Sequence, residues 1–214
     1  MIQAEAIPQQ HAICFYSYPG TRASRVHWAL EELQLTYTLA PVALNEGAHK
    51  RDDYLAIHPL GKVPALSIGQ HTLIESLAIV NYLAECYPEQ GLAPAIDSPQ
   101  RPDYHQWMAF AVATLEPAVM EAIRATKLSP EERQRVDMGP AQTPLESALH
   151  YLDRSLSQHR FLLGKHFSLP DLMVGSVLIW ADGKGLLNEH ERLQQWLKTL
   201  KRRPAYQAVQ AARH

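Results

Sequence analysis

The chain has 214 residues, 46% of them hydrophobic and 20% charged, with a net charge of −2 at neutral pH. This is the composition of a folded protein of one large or two small domains, not of a disordered chain, and the mixed charges offer no basic face to nucleic acid or an anionic membrane. Two cysteines, Cys14 and Cys86, with no Cys-x-x-Cys pair, exclude a disulfide framework and a four-thiolate zinc site and suit a reducing, cytoplasmic compartment.

The opening "MIQAEAIPQQHA" has neither the basic start nor the apolar core of a signal peptide, so residues 1–11 are expected to be a flexible extension. "AICFY" is a short apolar run that reads as a buried strand. The chain then breaks at Pro19-Gly20 and enters "ASRVHWALEELQL", where Val26, Ala29, Leu30 and Leu33 recur at helical spacing. "TYTLAPVAL" reads as a second strand, "HKRDDYLAIH" as a short helix or loop, and "VPALSIGQHTLIES" as a hairpin turning at Gly69-Gln70. "ESLAIVNYLAECY" is a helix with Leu77, Val80, Leu83, Ala84 and Tyr87 on one face. The order β-α-β-(α)-β-β-α over residues 12–87 fits a small α/β sandwich with parallel pairing first and a hairpin second.

A linker is expected over residues 88–100, where Pro88, Gly91, Pro94 and Pro99 cluster. From residue 101 to 214 the pattern predicts an all-helical domain. Its first helix, "DYHQWMAFAVATLEPAVMEAI", is expected to bend at Pro117. Thr143, Pro144 and Glu146 form a cap, first-turn proline and capping-box partner, and Ser168 with Asp171 repeats the pattern. "LMVGSVLIWA" is too short to cross a bilayer and suits a buried helix, so no membrane partner is expected. "ERLQQWLKTLKRRPAYQAV" is the last helical stretch.

Three stretches carry chemistry. The first is the strand–turn–helix "FYSYPGTRASRV", which offers Tyr16, Ser17, Thr21 and Ser24 beside a helix N-terminus that favours an anion or a thiolate. The second is Val63-Pro64 at a strand entry. By itself it reads first as a rigid turn; in a cis form it would leave the Val63 backbone open to an extended peptide. The third is Glu75-Ser76 at a helix start, an ordinary acidic first turn by itself, yet able to hold a ligand ammonium and carboxylate. Eleven histidines include no pair at helical ligand spacing, so no metal is expected.

"HPLGKVPAL" followed by "LIESLAIVNYL", with "PGTRASRVHWALEEL" before them and "FSLPDLMVGSVL" after, resembles the cytosolic glutathione transferases in order and spacing over nearly the whole chain beyond residue 11. The resemblance implies a thioredoxin-like N-terminal domain followed by an all-α domain, with glutathione as co-substrate and no metal. It implies a homodimer that conjugates glutathione to a small hydrophobic electrophile, as in detoxification. Rival readings on the same fold are a glutathione-dependent peroxidase or disulfide reductase and a non-catalytic adaptor.

Carried over by position, Val63 before Pro64 would pair with the cysteinyl part of glutathione, Glu75 and Ser76 would hold its γ-glutamyl end, and His49, Lys50 and Lys62 its glycyl carboxylate. For His49 and Lys50 a solvated loop face is an equal reading. The thiol, with an unperturbed pKa of about 8.5, needs a donor to favour its thiolate. An ungapped match of "PGTRAS" to serine-type members puts Thr21 on their catalytic serine, whereas Tyr16 falls where tyrosine-type members carry their phenol; Thr21 is preferred. Threonine is an unusual occupant there, with a rotamer its methyl restricts. A second-substrate wall is expected on the first helix of the second domain, with Tyr104, Trp107, Met108 and Ala111 as candidates against a plain core reading.

Overall fold

The computed structural model describes residues 12–129 and 143–212; the expected extension of residues 1–11 lies outside the described residues. Strand β1, Ile13–Ser17, buries Ile13 and Phe15 on one face, as alternation requires. Helix α1, Ala23–Glu32, covers that face with Val26, Ala29 and Leu30. Strands β2, Thr38–Pro41, β3, Ala65–Ile68, and β4, His71–Ile74, complete a sheet in the order β2-β1-β3-β4. The β1–β2 pair is parallel, and β1–β3 and β3–β4 are antiparallel. This is the crossover-then-hairpin arrangement of the sequence reading, a thioredoxin-like layer. The segment read as helix or loop is a short turn, Ala48–Lys50, followed by one turn of helix α2, Asp52–Leu55. Helix α3, Ser76–Cys86, packs Ile79, Val80, Leu83 and Ala84 into the core.

In the second unit, helix α4, Arg101–Phe110, runs through a π-helical turn, Ala111–Leu115, into α5, Glu116–Ala125. The expected distortion is therefore a widened turn just before Pro117. Proline lacks the N–H for the carbonyl four residues back, and its ring crowds that carbonyl, so the ladder loosens there. Tyr104, Trp107, Met108 and Ala111 are buried, and the Trp107 ring stacks on Tyr151 at 5.0 Å. These four residues are core.

Helix α6, Pro144–Leu156, is capped by Thr143 Oγ1, which accepts from the Glu146 N–H at 3.2 Å. The expected reciprocal bond from the Glu146 side chain is replaced by a contact 3.6 Å from His190 Nε2. Helix α7, Leu169–Asp182, has the full box. Asp171 accepts from Leu162 N at 2.8 Å, Ser168 N at 2.9 Å and Ser168 Oγ at 2.8 Å. Gly175 lets α7 approach helix α8, Glu191–Lys201, closely: a Cβ there would lie 2.4 Å from Leu200 Cδ1. Among the described residues no helix is long and apolar enough to cross a membrane.

The chain divides into two units, one running to Ala93 and resuming at Arg203, the other Pro94–Arg202. The sequence assigns everything beyond residue 100 to the helical domain and reads its end as one stretch. The structure instead starts a new helix, α9, Pro204–Ala211, at Pro204 and packs it on α1. Its anchor is Glu32, whose side chain is 8% exposed. The Glu32 carboxylate accepts from Arg203 Nε at 2.5 Å, Arg203 Nη2 at 2.7 Å and Trp28 Nε1 at 2.9 Å. The Trp28 and Tyr206 rings meet edge to face at 5.0 Å.

Burial pushes the Asp171 carboxyl up to about 6, although its hydrogen bonds pull the other way. A folded-state pKa above the unfolded one means the native state binds the extra proton, so this group's stabilising contribution is full below about pH 4 and is lost as pH rises through about 6. Denaturant melts of wild type and Asp171→Asn should differ in pH slope across that interval, the wild type losing more stability with rising pH. At neutral pH Asp171→Ala should cost about 1–3 kcal/mol, because three donors lose their acceptor.

Candidate functional site

Sheet register assembles the site. Tyr16 pairs with Ala65, and Ala65 with Ile74. One step further on, at the same end of the sheet, stand Ser17 at the end of β1, Pro64 just before β3 and Glu75 just after β4. Strands lie about 4.8 Å apart, so the row spans about 10 Å, the length of an extended tripeptide at about 3.4 Å per residue. Val63-Pro64 is cis, and among the described residues neither polar backbone group of Val63 has a backbone partner.

The loop before Val63 is held from both sides. His58, 3% exposed, accepts the Leu60 N–H at its Nδ1 (3.3 Å), and its carbonyl accepts from Gly61 N at 2.8 Å. Tyr54, buried from α2, donates its hydroxyl to Lys62 O at 2.6 Å. Burial, then the neighbouring Tyr16, pushes the Tyr54 phenol up to about 12, so it stays a donor at neutral pH. Gly61 has φ +57°, and a Cβ there would sit 2.6 Å from His49 O. Only glycine permits this approach. It brings the 48–50 turn, with His49 and Lys50, against the loop that carries Lys62. His49 Nδ1 is buried and has no hydrogen-bond partner among the described residues; Lys50 and Lys62 are exposed.

At the far end of the row Glu75 has φ +69° and ψ 112°, a conformation that costs a non-glycine residue about 1–3 kcal/mol. Ser76 is buried, and no side chain caps α3. The first-turn N–H groups of α3 are therefore open to a carboxylate, with the exposed Glu75 beside them for an ammonium.

The two candidate sulfur donors are placed differently. Thr21 stands at the α1 N-terminus, where its Oγ1 accepts from Ala23 N at 3.3 Å and donates to Tyr18 O at 2.7 Å. Its hydroxyl oxygen holds the first amide of α1, whose N-cap is Arg22, and its proton is engaged. Tyr16 points to the sheet face opposite α1, with its ring against Tyr54 at 6.0 Å. Burial chiefly, and then Cys14, raises its phenol above 10. Ser24 Oγ donates to Thr21 O at 3.0 Å, so it serves the first turn. Cys14 and Cys86 are free thiols within the fold, and burial pushes Cys86 up, away from thiolate chemistry. Among the described residues no group of three or more His, Cys, Asp or Glu side chains could hold a metal.

On the β2 side of the same turn a shallow pocket of about 150 Å³ is walled by Tyr18, Pro19, Leu39, Pro41 and Val209. Ser17 also lines this pocket, which therefore adjoins the β1 end of the row and extends to the β2 side of β1, away from Pro64. The residues that sequence reasoning missed are Tyr54, His58 and the Tyr18 carbonyl. The only sequence signal for the first two is their place just ahead of "PLGKVP".

Residues 12–85 match the family model described as glutathione S-transferase, N-terminal domain. The chain is 31% identical to glutathione S-transferase GstB of Escherichia coli strain K12 over 195 residues, covering 89% of this chain and 93% of that one. It is 29% identical to glutathione S-transferase GstA of Escherichia coli O157:H7, covering 92% and 96%. The fold superposes on the crystal structure of a glutathione transferase from Methylococcus capsulatus strain Bath with a TM-score of 0.79 at 28% identity, covering 94% and 98%.

Two substitutions separate packing from strain. Gly61→Ala should lower stability by about 2 kcal/mol or more, because its Cβ meets backbone and its φ is left-handed. Glu75→Gly should do the reverse and raise stability by about 1 kcal/mol, against the usual sign of a change to glycine. Urea melts of both variants read the two effects directly.

Proposed function

The chain belongs to the glutathione S-transferase family, and on that premise we propose that it binds glutathione extended along the Ser17–Pro64–Glu75 row and directs its thiolate at small hydrophobic electrophiles. The observation that carries this reading is the row itself, which sets the end of β1 that leads into the α1 turn, an unpaired Val63 backbone and an uncapped α3 N-terminus at one end of the sheet. In this reading the γ-glutamyl carboxylate takes the α3 N-terminus at Ser76 and its ammonium meets Glu75. The cysteinyl amide pairs with Val63, whose peptide plane Pro64 fixes. The glycyl carboxylate lies toward His49, Lys50 and Lys62, and the buried, unpartnered His49 Nδ1 supports that end.

Thr21 is the sulfur donor in this proposal. It stands at a helix end, where dipole and hydroxyl act together on a thiolate, whereas Tyr16 lies against Tyr54 on the face away from α1. To serve, the Thr21 hydroxyl must turn its proton from the Tyr18 carbonyl to the sulfur, with its methyl limiting the rotamers open to it. Conjugation then forms a carbon–sulfur bond to the electrophile and expels its leaving group with the bonding pair, the thiol proton passing to solvent.

The protein acts as a homodimer in this reading. Leu60, 59% exposed at the tip of the loop before Val63, is an apolar side chain that a second copy would cover.

Calorimetric titration with glutathione should show saturable binding at millimolar concentration or tighter; no heat at about 10 mM would remove the enzyme reading. The thiolate absorbance of bound glutathione should titrate about one unit higher in Thr21→Ala, with kcat/KM toward an activated aryl halide down about 10-fold. Tyr16→Phe should stay within about twofold; the opposite pattern transfers the role to Tyr16. Leu60→Glu should sediment as a monomer where the wild type sediments as a dimer.

A further inference from the structure

We infer that His58, as a neutral imidazole carrying its proton on Nε2, is a positioning residue for glutathione: its Nδ1 holds the Leu60 amide and thereby sets the loop that presents the Val63 backbone. The inference rests on the reading above that Val63 pairs with the ligand.

The geometry fixes the tautomer. Nδ1 accepts the Leu60 N–H at 3.3 Å, so Nδ1 carries no proton and the neutral ring carries it on Nε2. The ring is 3% exposed and stacks on Tyr54, with centroids 6.5 Å apart and planes 22° apart. Tyr54 in turn holds Lys62 O. One imidazole therefore touches both anchors of the segment from Leu60 to Lys62: it accepts from the first residue directly and packs against the ring that donates to the last. Its own carbonyl closes the turn by accepting from Gly61 N.

Protonation would undo this. An imidazolium aims an Nδ1–H at the Leu60 N–H, so two donors face each other, and one loop amide loses its acceptor in a buried place. The charged and titratable groups around the ring are Tyr54 from α2, Lys62 from the loop and Glu75 from the α3 N-terminus. Burial holds the imidazole below its ordinary value and Lys62 adds to that, while its own carbonyl and Glu75 oppose it. Glu75 gives the proton a second cost to function, because an imidazolium near that carboxylate competes with the ligand ammonium. Both effects weaken binding as pH falls through the lowered pKa, and both vanish above it.

The probe is S-methylglutathione, which has no thiol, so its own ionisation is constant between pH 5 and 7.5. Wild-type affinity should fall about 10-fold across that range, the equivalent of about 1.4 kcal/mol. His58→Asn offers an amide oxygen where Nδ1 stood and does not titrate. It should bind within about twofold of wild type at pH 7.5 and keep that affinity to pH 5. His58→Leu should bind about 10-fold more weakly at both ends. Any contribution from His49 is common to all three proteins and cancels in the comparison.

Amide exchange at Leu60, corrected for intrinsic pH dependence, gives a ligand-free readout. Protection should drop on acidification in wild type, persist in His58→Asn and be absent in His58→Leu. An acid loss of affinity and protection in His58→Asn equal to wild type overturns the inference, as does full protection in His58→Leu. Failure of wild type to bind the probe at any pH removes the glutathione reading instead, and the Leu60 exchange pattern still decides the role of His58.

Discussion

The antiparallel pairing of β1 with β3, and of β3 with β4, is the constraint on which the site depends. Side chains alternate with a period of two, so a slip of one residue would send Phe15 and Leu66 out of the core and turn the Pro64 row away from its present alignment. The buried face of β1 specifies the register, and the register then fixes where the β1–α1 turn, the entry to β3 and the exit from β4 fall. No side chain in the site needs to search for its partners; the core has already placed the backbone that carries them.

Within that frame the loop from His58 to Val63 is held by groups that act on the main chain. Tyr54, His58 and Gly61 each act on backbone: a hydroxyl on a carbonyl, a ring nitrogen on an amide, and a missing side chain that admits a neighbouring peptide. The site surface is correspondingly made of main-chain groups, helix ends and a few exposed charges. Such a surface suits a ligand that is itself a peptide, recognised through hydrogen bonds common to all peptides at its centre and through charge at its ends.

Much of this was legible in the sequence because it was written in periodicity and in caps. The short apolar run around Phe15, the helical spacing of Val26, Ala29, Leu30 and Leu33, the two-residue hairpin and the Ser168–Asp171 box all act locally, and local rules recovered them. The family pattern added Val63, Glu75 and Ser76, which no periodicity marks. What stayed hidden depends on contacts distant in sequence or on hydroxyl orientation. Nothing in "RRPAYQAV" announces that Arg203 will meet Glu32 across 171 positions of chain. Nor does "YPGT" reveal that the Thr21 proton goes to Tyr18 O. Three residues of α4 and Ala111 just after it matched both a pocket wall and a core stripe, and burial alone decided for the core. His58 looked like part of a loop because its value lies in one ring nitrogen.

The return of α9 to α1 has a consequence for how the molecule is made. The Glu32 carboxylate sits nearly buried early in the chain, and the guanidinium that neutralises it is the last but eleven residues from the end. During synthesis the thioredoxin-like half emerges first, yet Trp28 and Glu32 lack their cover until the ribosome has released the whole helical half. The first domain to appear is thus completed only after the second has been made.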